Sequence, residues 1–407
     1  MSVPKIRFPE FKDAGEWKEA TCADVFLERI ESGFSTLPLL SLTDKEGIIP
    51  QSETNRKNVS GTDKSKYLRI VPGDIAYNTM RMWEGRCALV DQEGIVSPAY
   101  TVCKPKIELV SSFFFNYFKT NGLIKQFHKY SQGLVKDTLN LKFENFCRIP
   151  ISYPAITEQQ KIADCLSSLD DLIAAHNQKL DALKTHKKGL MQQLFPTEGE
   201  TVPKLRFPEF EGMGEWVEKS IGEIGTVVTG STPSTAESAY YGTEKMFVSP
   251  ADMSNKRYVT DTKTKLSALG FEQTRKVPPG SVLVVCIGST IGKIAQNTRE
   301  CATNQQINSI IPRNGNDAGF IFVSIERSVD KIIALAGRQA VPIVNKSQFS
   351  DVRIRVPDPT EQGRIAHCFS SIDVLMAAIS DKIEALQKLK SGLMQQLFPA
   401  VSENADE

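Results

Sequence analysis

The chain contains no Cys-x-x-Cys pair. Its eight cysteines (Cys22, Cys87, Cys103, Cys147, Cys165, Cys286, Cys301, Cys368) are scattered singly along 407 residues. That spacing suggests neither a zinc ribbon nor a disulfide framework, so the thiols read as reduced and mostly buried. Histidine is scarce as well. None of His128, His176, His186 and His367 lies at metal-ligand spacing from another His or Cys, which argues against a structural metal. The longest apolar run, SVLVVCIG from Ser281 to Gly288, is far shorter than a membrane helix requires. The opening MSVPKIRFPEFK lacks the apolar stretch of a secretory signal, so a cytoplasmic protein is expected. Neither sign of charge is in excess: 49 Lys and Arg stand against 48 Asp and Glu. This near balance argues against nucleic-acid binding by bulk charge alone, while leaving room for local basic faces. Residues 55–86 offer one, with Arg56, Lys57, Lys64, Lys66, Arg69, Arg81 and Arg86 against Asp63, Asp74 and Glu84.

Loops that hold nucleotides are missing in the forms chemistry requires. GSTIGK (Gly288 to Lys293) has one residue too few between its glycines for a P-loop, and Ile294 stands where a magnesium-binding hydroxyl is needed. SPAY (Ser97 to Tyr100) partly matches the loop of amino-methyltransferases, but Ala99 replaces its proline and only Ser97 is left to hold an amino group. No G-x-G-x-x-G turn opens a helix. With no nucleophile, metal or phosphate loop, a catalytic chain is not expected, and no cofactor is assigned.

What the sequence does contain is a repeat. VPKIRFPEF (Val3 to Phe11) returns as VPKLRFPEF (Val202 to Phe210), and GEW at Gly15 to Trp17 returns at Gly214 to Trp216. TEQQKIADCLSSLD (Thr157 to Asp170) returns as TEQGRIAHCFSSID (Thr360 to Asp373), and GLMQQLFP is written identically at 189–196 and 392–399. The intervening blocks, about 21–148 and 220–351, share little obvious sequence. A period near 200 residues is too long for a solenoid unit and implies a duplicated module with one variable and one constant part.

The constant part reads as a long helix. Thr157 with Gln160 forms a T-x-x-Q capping signal, and Thr360 opens the second copy; both follow proline-containing segments (Pro154; Pro357 and Pro359). Apolar residues then recur at heptad spacing: Ile162, Leu166, Leu169, Ile173, Leu180, Leu183, and in the second copy Ile365, Phe369, Ile372, Met376, Ile379, Ile383, Leu386. His176, Lys187 and Lys390 interrupt the seams, as register or end effects. Leu190 and Leu194, like Leu393 and Leu397, extend the seams until Pro196 or Pro399 stops the helix. Each helix would run about 57 Å at ~1.5 Å per residue, too long for one small domain to cover, so an intramolecular antiparallel pair is expected. The shared GLMQQLFP reads as a second surface for a partner that meets both copies alike, or as recent duplication.

These features together resemble the specificity subunit of type I restriction-modification systems. The resemblance rests on the PKxRFPEF and GEW segments, the TEQ helices, both GLMQQLFP endings and motifs inside the blocks. In the first block these are LLSLTDKEGIIPQ, VPGDIAYNTMRMWEG and GIVSPAY; in the second, TGSTPS, VPPGSVLVVCIGSTIGKIA and TNQQINSIIP. It covers the chain except for the acidic tail SENADE. The resemblance implies an α+β fold: two globular α/β target-recognition domains separated by two long antiparallel helices, an intramolecular coiled coil, in a pseudo-twofold repeat. Segments are expected at 1–156 (first recognition domain), 157–196 (first spacer helix), 197–359 (second recognition domain), 360–399 (second spacer helix) and 400–407 (tail). The implied partners are double-stranded DNA, read as a split asymmetric site, two modification subunits docked on the helices and using S-adenosylmethionine, and ATP-dependent restriction subunits. The specificity subunit is itself non-catalytic.

Base reading needs Arg or Lys for guanine and Asn or Gln for adenine, with hydroxyls and basic groups on phosphates. In the first block Arg69, Asn78, Arg81 and Trp83 are candidates; in the second, Ser231, Thr232, Lys293, Asn304, Gln305, Gln306, Arg338 and Gln339. A polar run such as TNQQIN is also what a solvated turn looks like, and Trp83 also suits a core. Trp17 and Trp216 read as packing residues where domain meets helix, and Asp74 as a turn residue. Two other functions fit the same residues: a stand-alone sequence-specific DNA-binding protein, marked by tight binding of the isolated chain, and a coiled-coil scaffold, marked by indifference to DNA sequence.

Overall fold

The computed structural model describes residues 3–43, 47–54, 63–254, 256–313, 315–337 and 341–399. The sequence candidates Arg338 and Gln339, and the basic residues Arg56 and Lys57, lie outside the described residues. The chain divides into two compact units, Met1–Ala175 with Ile383–Glu407, and His176–Lys382. Both divisions fall inside the two long helices, Ile156–Leu194 and Pro359–Leu397. Each unit therefore holds one globular block, the opening of the helix that follows it, and the closing turns of the other helix.

The sequence blocks that look unrelated share a topology. In the first unit a sheet runs in the order Phe26–Glu28, Tyr100–Pro105, Ile75–Asn78, Cys87–Leu89. In the second, the order Gly225–Thr229, Ile307–Pro312, Val282–Val285, Ile294–Asn297 repeats it, with Tyr258–Val259 added at the edge. A short antiparallel ribbon recurs as well: Lys18–Thr21 with Pro150–Tyr153, and Val217–Ser220 with Arg353–Val356. Helices cover the sheets. Ser111–Phe118 (SSFFFNYF) buries Phe113, Phe114 and Phe118, and Ala318–Ala334 buries an unbroken run from Phe320 to Ile325. Asp317 caps the latter by accepting from the Phe320 amide at 2.9 Å, which satisfies one of the donors a helix start leaves open.

The expected Thr157 cap is not formed. The first long helix begins one residue earlier, with the amides of Glu158 and Gln159 both donating to the Ala155 carbonyl at 3.0 Å. Gln160 turns outward and donates to Asp164 at 2.7 Å. In the second copy the cap is Asp358, whose carboxylate accepts from the Thr360 amide at 2.9 Å, with Pro359 in the first helical turn. The repeated Glu-Gln pair instead ties the helix to its globular block. Arg7 forks onto Glu158 at 2.7 and 2.6 Å, and Arg206 onto Glu361 at 2.8 and 2.6 Å. The remaining guanidinium nitrogen donates to carbonyls at the start of GEW, Gly15 in one unit, and Met213 and Gly214 in the other. Gln159 and Gln362 donate to the Pro154 and Pro357 carbonyls, and they accept from the Val110 and Asp317 amides. A doubled R-F-P-E-F, G-E-W and T-E-Q is thus one joint built twice.

The GLMQQLFP endings complete the joint. Leu397 and Phe398 are buried in the first unit beside Trp17, Phe113 and Tyr117, while Leu194 and Phe195 are buried in the second beside Trp216 and Phe320. The Ile6 amide donates to Gln396 and the Leu205 amide to Gln193, each at 3.0 Å. Two like sockets within the chain thus account for the repeated Leu-Phe-Pro, whereas Gln192 and Gln395 of the same stretch are exposed.

The seam is two things in sequence. Ile162 and Leu166, and Ile365 and Phe369, are buried within the aromatic cores of the globular blocks, because the helix openings lie on those blocks. Farther along, Leu169, Ile173, Leu180, Leu183, Ile372, Met376 and Leu386 are half-buried, and Ile379 and Ile383 are buried. The lysines that break the seam are partnered across it: Lys390 meets Asp170 at 2.6 Å in the first unit, and Lys187 meets Asp373 at 2.8 Å in the second. Both pairs join the same two repeat positions, so they act as a register mark between antiparallel segments.

Candidate nucleic-acid interface

Strand register decides which loops meet. In the first sheet Asn78 lies opposite Tyr100, and in the second Val285 lies opposite Ile307. The loop after the first strand of each pair therefore sits beside the loop before its partner. In the first unit these are residues 79–86 and the SPAY segment; in the second, 286–293 and the TNQQ turn. The GSTIGK stretch leads into a strand, Ile294–Asn297, rather than the helix a P-loop opens.

In the second unit five candidates converge. The Ser231 amide donates to the Thr303 carbonyl at 2.9 Å, and the Thr232 hydroxyl donates to Gln305 at 2.5 Å. Asn304 donates to Gln306 at 2.9 Å, and Gln306 donates to the Ile287 carbonyl at 3.3 Å. Thr232 and Gln305 are exposed; Asn304 and Gln306 are half-buried and hold the turn. Gly230 makes the convergence possible, since a Cβ there would stand 2.1 Å from the Asn304 carbonyl oxygen and 2.3 Å from that of Thr303. On the expectation drawn from the resemblance, that this unit reads one half of a split site, Gly230→Ala displaces the TNQQ turn and weakens recognition through this unit at least tenfold, with the first unit unaffected. Protection of the two half-sites in a footprint checks this, and equal loss in both would reject it. Lys293 lies apart from this knot: its ammonium donates to the Pro250 and Met253 carbonyls at 3.3 Å.

In the first unit the candidates are more dispersed. Asn78 accepts from the Met80 amide at 2.9 Å and so shapes its own turn. Arg81 is exposed over 43% of its side chain and lies 3.2 Å from Glu84. Met82 is fully buried, and Trp83 is half-buried, donating to the Met80 carbonyl and lying edge-on to His128. Arg69 belongs to a different network: Glu93 at 2.7 Å and Glu31 at 2.9 Å take its guanidinium, which also stacks on Phe34. Asp74 is a turn residue, accepting from the Val71 amide, and is also forked by Arg29.

Two features were not found from the sequence. Arg275 is exposed and donates to the Thr229 carbonyl at 2.8 Å, while its amide donates to Ser231; 44 residues of chain separate it from that motif, so only the fold brings it there. Leu134 is fully exposed and Val135 largely so, at the tip of a loop closed by bridging between Gln132 and Asn140. The Leu141 amide ties that loop to the Thr79 carbonyl at 2.8 Å. Its signal was present in the sequence as an apolar pair following a glycine, without a periodic element around it.

Burial pushes the thiols up, Cys87 and Cys286 to about 11 and Cys301 to about 12, so these three are packing groups rather than nucleophiles. Among the described residues no cluster of three or more His, Cys, Asp or Glu could hold a metal ion, and no helix is long and apolar enough to cross a membrane.

The comparisons with known proteins bear on the fold and the family. The chain is 25% identical over 417 residues to the type I restriction enzyme HindI specificity subunit of Haemophilus influenzae, covering 85% of this chain and 89% of that protein. The crystal structure of a type I restriction-modification S subunit from M. genitalium aligns over 98% of this chain and 100% of that one, with a TM-score of 0.64 at 14% identity. A chain from a structural study of assembly and conformational transition in the type I R-M system aligns over 95% and 98%, with a TM-score of 0.53 at 16% identity. At such identities these two likenesses speak for the fold. The family model of the type I restriction modification DNA specificity domain matches twice, over residues 15–185 and 213–387, and the chain belongs to that family.

Proposed function

We propose that this specificity subunit reads a split, asymmetric duplex site, one half through each globular block, and carries no chemistry of its own. The observation that supports this reading most is the pair of matched loop clusters. The same strand order presents a hairpin loop beside a second loop in both units, yet most of the side chains there differ: Arg81 and Trp83 with Ser97 in one, Ser289 and Thr290 with Asn304 and Gln305 in the other. One scaffold with two sets of reading groups suits a target whose halves differ. In this reading two modification subunits dock on the long helices and supply S-adenosylmethionine and the methyl transfer. Restriction subunits join with ATP, and the complex works on cytoplasmic DNA.

Expression of the chain with its modification subunit, followed by single-molecule mapping of N6-methyladenine, tests this. A motif of two fixed halves and an unread gap is expected. Arg81→Ala should relax recognition at one position of one half by about 1–3 kcal/mol, the worth of a bidentate arginine–guanine contact. Methylation without a split motif would reject independent reading, and equal weakening of both halves would reassign Arg81 to a phosphate or packing role.

A further inference from the structure

The second unit carries a basic cavity that the reading loops do not use. It has a volume of about 320 Å³ and lies beside the Phe195–Gly199 segment that follows the first long helix. Ser324, Arg327, Ser328 and Lys331 line it at helical spacing, on one face of Ala318–Ala334. Arg353 and Arg355 line it from alternate positions of one strand, on one face of the ribbon, with Glu218 opposite Arg355. Four cations thus face two carboxylates, Glu218 and Glu198, and Glu198 is engaged by Lys331 at 3.1 Å.

Arg327 and Arg355 each spend one hydrogen bond within the chain, which leaves guanidinium N–H groups facing the cavity. Arg327 donates to the Pro196 carbonyl at 2.6 Å and lies over the Phe195 ring, and its partial burial lowers its pKa. Arg355 has one long bond, 3.5 Å, to the Trp216 carbonyl. Ser324 is only 3% exposed, and its hydroxyl has no hydrogen-bond partner. A buried unpaired hydroxyl beside guanidinium groups is costly unless something fills the site. The first unit has a comparable feature: Gly122, Lys125, Gln126 and Lys129 form one helix face lining a cavity with Lys5, Phe398 and Pro399.

We propose that Ser324, Arg327 and Arg355, with Arg353 lining the same cavity, bind a phosphoryl group. Guanidinium groups approaching from a helix and from a strand suit oxygens arranged tetrahedrally, and the Ser324 hydroxyl adds a donor, while the Ser328 hydroxyl donates to the Ser324 carbonyl at 2.8 Å. The phosphoryl group comes either from a DNA backbone passing the joint or from a small free phosphate anion.

Calorimetric titration of the full chain with inorganic pyrophosphate tests this, alongside the salt dependence of binding to a duplex of unrelated sequence. Pyrophosphate affinity is expected to fall at least tenfold in Arg327→Gln and several-fold in Ser324→Ala, both with unchanged circular dichroism. A salt slope that falls by about 0.9 in Arg327→Gln, one phosphate contact, identifies the DNA backbone as the source, whether or not free pyrophosphate binds. Lost pyrophosphate binding with an unchanged slope identifies a free anion. Pyrophosphate affinity and salt slope both unchanged in the variants would overturn the site. If Arg327→Gln fails to fold, Arg355→Gln carries the same comparison. A failure of sequence-specific reading would leave the pyrophosphate result standing, because the reading loops lie elsewhere in the unit.

Discussion

Phe398→Ala should destabilise the first unit by about 3–5 kcal/mol, the range for removing a fully enclosed phenylalanine. The ring stacks on Tyr117 at 5.0 Å and 8°, packs against Phe113 at 5.2 Å and meets Trp17 edge-on at 6.3 Å. None of those three neighbours can move in to fill the space, since each is held by other aromatic contacts or by the Arg7–Glu158 joint. The counterpart Phe195→Ala should act on the second unit to a similar extent, where the ring stacks on Phe320 at 5.7 Å and meets Trp216 at 5.5 Å. Hydrogen exchange read by mass spectrometry separates the two outcomes. Deprotection confined to residues 3–175 and 383–399 in the first variant, and to 176–382 in the second, is expected. Uniform deprotection by either substitution would show that the ends of the helices do not belong to separate cores.

The second large effect is expected at Glu361. Its carboxylate is 1% exposed and holds both arms of Arg206, whose side chain is 9% exposed. Glu361→Ala leaves a buried guanidinium without its counter-charge, a loss of about 3–5 kcal/mol. Glu361→Gln keeps an acceptor and should lose less. A double variant, Arg206→Met with Glu361→Leu, should recover most of the stability, because breaking a buried pair costs more than replacing both members with apolar groups. Urea unfolding of the single and double variants measures the difference. If the double variant is no more stable than Glu361→Ala, the contribution is local packing rather than the uncompensated charge.

The joint shows where pattern reading stops. Trp17 and Trp216 could be identified as packing residues from their repeated spacing alone. Arg7 and Glu158 could not be joined, because nothing in a sequence says that residues 151 positions apart will fork onto one another. The same holds for Lys187 and Lys390. In a heptad they read as breaks in the seam, and only the facing segment shows that each finds an aspartate. At the candidate loops, residue type marked Gln305 and Thr232 as polar and available, but it also marked Arg69, which the fold commits to Glu31 and Glu93. Arg275 carried no motif at all.

By itself the sequence determined the duplicated module, the two long helices, their stop ahead of Pro196 and Pro399, and the family. Each of these rests on local periodicity, on backbone chemistry or on letters that repeat, and such signals need no knowledge of the fold. Tertiary structure alone decided that the two dissimilar blocks share one strand order, and that the Leu-Phe-Pro of each GLMQQLFP is buried in the unit its helix ends in. It also decided which polar residues are spent on holding turns and which face outward. Those outcomes depend on strand register and on contacts between residues more than 100 positions apart, where one residue's partner is set by the packing of everything between them.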